Sequence, residues 1–202
     1  MDINIVKLKE AEDFYRDRIQ GWMITDLKRS LEAKTNFLTA LGCVSYTEII
    51  GRFLPPIDNE VGKREERAFY RAFRRLPSNY YLNKLEKYVQ QNIRKNFYNG
   101  IRHGLVHCYF PNLTKKMPDG TNVFWASVVA RDGFVISNQY KKRSAPIFID
   151  NGGRIILATK NYVTEIEKAV KIFIKETFQK KNILYQQYAV KGVDYIFRGI
   201  KS

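Results

Sequence analysis

Histidine, cysteine and tryptophan each occur only twice in this chain, and proline six times. Two cysteines, Cys43 and Cys108, exclude a disulfide-dense scaffold and a zinc module built on four thiolates, and they fit a reducing, cytoplasmic setting. No stretch approaches the roughly 18 apolar residues of a membrane span. The first residues reach Glu10 and Glu12-Asp13 before any long apolar run, so no signal peptide is expected there. A glycine-rich phosphate loop ahead of a helix is missing, as is a Gly-x-Ser-x-Gly elbow, and Asn151-Gly152-Gly153 reads as a hairpin turn instead. Acidic residues are outnumbered: 20 Asp and Glu face 35 Lys and Arg, a balance of +15. A surface with that excess attracts polyanions, nucleic acid among them.

The 202 residues, 45% hydrophobic and 27% charged, suffice for a sizeable core, and no repeat, linker or low-complexity segment divides them. Ile19, Trp22, Met23, Leu27, Leu31, Leu38 and Leu41 recur at helical spacing, which predicts a long amphipathic helix, broken near Gly21 and stopped by Gly42. Shorter helices are expected from Thr47 to Pro55-Pro56, over residues 64–76, and from an N-cap at Ser78 through Val89. Phe97, Ile101, Leu105 and Cys108 then form one apolar stripe on a fifth helix. After Pro111 β-rich runs take over. Residues 123–129 and 134–136 read as one hairpin, and residues 146–149 and 155–157, across Asp150-Asn151-Gly152-Gly153, as a second. Helical period returns at Ile166, Ala169, Val170 and Phe173, while the last twenty residues show no decisive pattern.

The expected fold class is mainly α within an α+β description: one domain over 1–202, a helical bundle from 10–110 and 160–178, and an inserted antiparallel β-hairpin region at 120–158. Its core should include Trp22, Leu27, Leu31, Leu38, Phe73, Leu85, Phe97, Ile101, Leu105, Ala169 and Phe173.

Both histidines fall within Ile101-Arg102-His103-Gly104-Leu105-Val106-His107-Cys108-Tyr109. As ordinary residues they are polar groups on the solvent side of a helix. His103 and His107, one helical turn apart, could also share a metal, although no acidic residue stands beside them and a third ligand would have to come from elsewhere. The segment also resembles the ribonuclease motif of the HEPN superfamily: an Arg and a following polar residue, a His four to six positions on, and in one subgroup a Tyr two further. Arg102, His103, His107 and Tyr109 each match one of those positions.

That resemblance implies a helical bundle, often dimeric, with two motifs facing one another across the interface. It implies a metal-independent endoribonuclease without cofactor, of toxin or antiviral-defence type, with an antitoxin or nucleotidyltransferase as a further partner. Other members of the superfamily have lost catalysis and bind nucleotides or proteins, so the alternative is a non-catalytic nucleic-acid or nucleotide-binding module. In the catalytic version the ribose 2′-hydroxyl attacks the adjacent phosphate, and no protein nucleophile is needed. His107 would transfer the proton and Arg102 would hold the phosphate. His103 would orient the site or move a second proton, and Tyr109 would bind the phosphate or position Arg102. Positions five apart on a regular helix differ by about 140°. Convergence of Arg102 and His107 therefore needs a distortion at Gly104, the reach of the long Arg side chain, or a second subunit.

A second basic pattern precedes it. Arg64, Arg67, Arg71, Arg74 and Arg75 are spaced to share about 100° of one helix face, opposite Phe69, Ala72, Phe73 and Leu76. Such a ridge either lines an RNA phosphate backbone or is a solvated face partly neutralised by Glu48, Glu86 or the acidic first helix.

Overall fold

The chain is seen in a computed structural model that describes residues 3–58, 60, 62–77, 97–108, 114–116, 122–124, 126–129, 146–149 and 155–198. The fold is mainly helical. Helix α1 (Ile5–Phe14) begins where Asn4 accepts hydrogen bonds from the amides of Val6 and Lys7, the usual way for Asn to satisfy donors that a helix start leaves open. It runs into wide π-type turns over Tyr15–Met23 and then into α2 (Ile24–Glu32). Helices α3 (Asn36–Arg52), α4 (Arg64–Phe73), α5 (Phe97–Cys108), α6 (Thr159–Ile174) and α7 (Ile183–Arg198) follow, with a second π-type segment at Lys175–Gln179.

The first long helix departs from expectation in two places. The buried positions of the π-type segment are Tyr15 and Ile19, and the next is Ile24 at the start of α2, so the spacing widens to five. Trp22, expected in the core from a 3.6-residue period, is thereby turned outward and is 62% exposed, with the Arg18 guanidinium 3.7 Å above its ring. The chain breaks at Lys34, which takes a positive φ of 58°, not at Gly42, and α3 restarts the phase so that Leu38 is 56% exposed. Gly42 sits inside α3, where an added Cβ would lie 2.9 Å from Leu27 Cδ2. Its small size serves close packing, not a helix stop. The helix expected from Thr47 is the last part of α3, and it ends ahead of Pro55-Pro56 as proline requires.

Leu27, Phe73, Phe97, Ile101, Leu105 and Phe173 are buried as expected. The helix expected at 78–89, with Leu85, lies outside the described residues. Helix α7 was not legible from the sequence. Asn182 begins it by accepting from the Tyr185 amide, and Gln186, Ala189 and Val193 form its buried face.

Five short strands are described: β1 (Thr114–Lys116), β2 (Asn122–Phe124), β3 (Ala126–Val129), β4 (Ile147–Ile149) and β5 (Ile155–Ala158). β1 pairs antiparallel with β2 and β4 antiparallel with β5, while β3 runs parallel to β5. That parallel pair corrects the expectation of a purely antiparallel region. Residue alternation marks a strand but carries no information about its direction, and the chain between β3 and β5 is long enough for a parallel crossover. The run 123–129 also divides between two sheets. Residues 134–136 and the turn at 150–153 lie outside the described residues.

Contacts group the chain into two compact units: Met1–Asp26, Tyr46–Leu76 and Ile166–Ser202 in one, Leu27–Ser45 and Pro77–Glu165 in the other. The first unit has an aromatic core in which the Tyr15 ring stacks on Phe173 at 4.7 Å and meets Phe53 edge-on at 5.0 Å. Gly51 of α3 lies so close to α4 that an added Cβ would overlap the Ala68 carbonyl, and Gly192 of α7 gives way in the same manner to the Phe53 ring. These close approaches set the positions of α3, α4 and α7 around the site.

Candidate functional site

In the first unit α3, α4 and α7 border a cavity of about 400 Å³ that is open to solvent on one side. Arg52, Arg64, Arg67, Arg71 and Lys191 line it, with Ala68, Tyr188, Tyr195 and one carboxylate, Asp194. Arg64, Arg67 and Arg71 come from α4, at spacings that place them on one face while Phe69, Ala72 and Phe73 are buried on the other. Helix α4 begins at Arg64 without a side-chain cap, and Glu65 and Glu66 in its first turn offset the positive end of the helix there.

Each cation is held differently. Both the Nε and an Nη of Arg71 donate to the two carboxylate oxygens of Glu60, the second bond at 2.6 Å. Glu60 also accepts from the Ile57 amide at 2.9 Å. Burial opposes ionisation of Glu60, yet these bonds and the fields of Arg71 and Arg67 outweigh it and hold the carboxyl below its ordinary pKa. Arg52 donates to Glu48 at 2.7 Å and has Glu65 at 3.9 Å. Burial works against its charge, but the bonds to Glu48 and Tyr195 prevail and raise its pKa. Arg64 lies 3.8 Å over the Tyr195 ring and Arg52 4.8 Å from the same centroid, while Lys191 approaches the Tyr188 ring at 4.8 Å. Asp194 is bound by Lys7 at 2.9 Å.

Of the five arginines that the sequence grouped as a ridge, the structure brings Arg64, Arg67 and Arg71 to the cavity. Arg74 and Arg75 fall in the turn after α4 and do not line it. Arg75 donates to the carbonyls of Pro55 at 2.9 Å and Arg71 at 3.1 Å, tying down the loop after α3, and Arg74 lies near the Tyr70 ring. The expected neutralising partner Glu48 engages Arg52, and Glu60 is the acid that meets the ridge. Sequence reading missed Arg52, Lys191, Tyr188, Tyr195 and Asp194. The last four lie on α7, and their signal was the burial period of Gln186, Ala189 and Val193, which the aromatic and basic residues between them obscure.

On α5, in the second unit, Arg102 is half-buried and His103 and His107 occupy positions of an uninterrupted helix. Gly104 is buried within that helix and introduces no break in it. The side chains of His103 and His107, and all of Tyr109, lie outside the described residues. Among the described residues no three His, Cys, Asp or Glu side chains are grouped to hold a metal, and no helix is long and apolar enough to cross a membrane. Cys43 is buried, which pushes its thiol far above the range in which a cysteine acts as nucleophile.

A second cavity of about 390 Å³ in the first unit is lined by four carboxylates, Glu10, Asp13, Asp17 and Asp194, against one cation, Arg18, beside Phe14, Val193 and Phe197, a net negative lining unsuited to a polyanion. No family model, curated protein or solved structure matches the chain, so the likeness to the HEPN motif rests on residues 102–109 alone.

Proposed function

We propose that this protein binds RNA, holding phosphate in the cationic cavity between α3, α4 and α7. The observation that carries this reading is the convergence of Arg52, Arg64, Arg67, Arg71 and Lys191 on one cavity whose single carboxylate is already paired. Guanidinium groups present planar forks of donors to phosphate oxygens, and two of these are braced by buried or half-buried acids that do not line the cavity. Replacing Arg64 and Arg67 with Ala should weaken binding of single-stranded RNA similarly across sequences. It should also flatten the dependence of log affinity on log salt by about 0.7 for each phosphate that the variant no longer neutralises. Unchanged affinity in that double variant would return the ridge to an ordinary solvated face.

A second reading adds catalysis, favoured by Arg102, His103 and His107 standing on one continuous helix. Here the protein is a metal-independent endoribonuclease of toxin or defence type, acting as a cytoplasmic homodimer with an antitoxin or nucleotidyltransferase partner. The 140° between positions 102 and 107 favours a site completed across a twofold axis. Cleavage should then persist in EDTA, leave 2′,3′-cyclic phosphate ends, spare DNA, and fall by orders of magnitude in His107→Ala with folding intact. Equal cleavage by wild type and that variant would assign the activity to a contaminant and leave the binding reading alone.

A further inference from the structure

The geometry points to a terminal phosphate, a monoester dianion at an RNA end, as the ligand of the cationic cavity, rather than the internal backbone; this rests on the RNA-binding reading above. Shape is the first argument. A cavity of about 400 Å³ falls at the small end of ligand pockets, roughly 300–1,000 Å³, whereas a strand bound along its length needs a groove that tracks successive phosphates.

Charge is the second. Arg52 and Arg71 are each paired with an acid that does not line the cavity, and Asp194 is paired with Lys7. Arg64, Arg67 and Lys191 make no direct ion pair among the described residues, and only Arg67 feels the field of Glu60, whose two oxygens are bound by Arg71, so three positive charges line the cavity without a carboxylate bound to them. An internal phosphodiester brings one negative charge to them. A phosphate monoester brings about 1.5 to 2 at neutral pH and one more oxygen to accept hydrogen bonds.

The third argument concerns the tyrosines. Bases of single-stranded RNA are held by stacking on free aromatic faces. Here Tyr195 already carries the guanidinium groups of Arg64 and Arg52, and Tyr188 carries Lys191. The rings therefore already serve to fix cations, which suits recognition of an end whatever its base. Arg67 is exposed, lies one turn from both Arg64 and Arg71, and is the group that meets the phosphate most directly.

The test is binding of one short single-stranded RNA made with a 5′-phosphate, a 3′-phosphate or hydroxyls at both ends, with a nucleoside 5′-monophosphate measured separately by calorimetry. At least one phosphorylated end should bind tenfold or more tighter than the hydroxyl form. Arg67→Ala should erase that difference, and Arg67→Lys should keep part of it. Lowering the pH from about 7.5 to about 5.5 should shrink the preference, because the second phosphate proton binds near pH 6. Equal binding of all three RNAs by a protein that still binds RNA overturns the inference and leaves the RNA reading standing. Binding of the mononucleotide through Arg67, with no affinity for any RNA, upholds the monoester chemistry with free nucleotide as its source and sinks the RNA reading. Failure to bind RNA and mononucleotide alike overturns both.

Discussion

Two cavities of nearly equal size, about 400 and about 390 Å³, occur in the first unit and share Asp194 as a wall, yet they carry opposite charge. In the first, cations face inward and their acids are withdrawn: Glu60 and Glu48 keep only 9% and 8% side-chain exposure. In the second, carboxylates gather on the N-terminal helix, and the pairing there is a surface contact such as Lys9 with Asp13, both more than half exposed. Such an exposed pair fixes its charges weakly. The net charge of +15 is thus not the property a ligand meets. Size is alike in the two cavities, and bracing and sign distinguish them.

The contrast can be broken most directly by exchanging signs. Arg64→Glu combined with Arg67→Glu should lower RNA affinity a hundredfold or more, since repulsion takes the place of two charge-assisted hydrogen bonds of roughly 1.5–3 kcal/mol each. Asp13→Lys combined with Asp17→Lys should leave affinity unchanged or slightly raised, as read by fluorescence anisotropy in one buffer. An equal drop in affinity for both double variants would mean that neither cavity is the site.

Bracing is the next term to test. Glu60→Ala leaves the half-buried Arg71 without its acid and should cost about 2 kcal/mol in denaturant melts, because charged hydrogen bonds disappear and a donor pair is stranded. The pH dependence has a definite sign. The Glu60 carboxyl is held below its ordinary pKa when folded, so its contribution is fully present above the unfolded value and disappears as pH falls through the folded one. Wild type and Glu60→Gln should therefore differ near neutrality and converge in acid, below about pH 4. A constant gap across that range would deny Glu60 its bracing role.

The smallest effect belongs to the shared wall. Asp194→Asn removes a pair whose members are about one-third exposed and should lower stability by only about 0.5 kcal/mol. The same change takes the one carboxylate out of the cationic cavity, and phosphate affinity should rise roughly threefold, as expected for a charge a few ångströms away in a high dielectric. A fall in affinity instead would make Asp194 a ligand group rather than a tolerated neighbour.

Legibility in the sequence followed the regularity of the backbone. Helix α4 could be read from its arginine spacing and α5 from Phe97, Ile101 and Leu105, because both keep a 3.6-residue period. Trp22 was misplaced because π-type turns shift the phase by about one residue, and nothing in the side chains of Tyr15–Met23 announces the change. Arg74 and Arg75 continued the numerical pattern of α4, but the helix had ended, and a periodicity argument fails where the helix does. The pairing of Arg71 with Glu60 spans eleven residues across a loop that has no period to read.

The amino-acid sequence by itself determined the balance of charge, the predominance of helix, the amphipathic character of α4 and the clustering of both histidines on one helix. These are local properties, fixed by composition and by spacing along one element. Only the tertiary structure decided which arginines are braced, which face a cavity, and that Arg52 and the residues of α7 join them. Those outcomes depend on close approaches such as Gly51 with Ala68 and Gly192 with Phe53, in which groups far apart in the chain come within van der Waals distance. A spacing rule along one helix cannot specify the partner that packs against it.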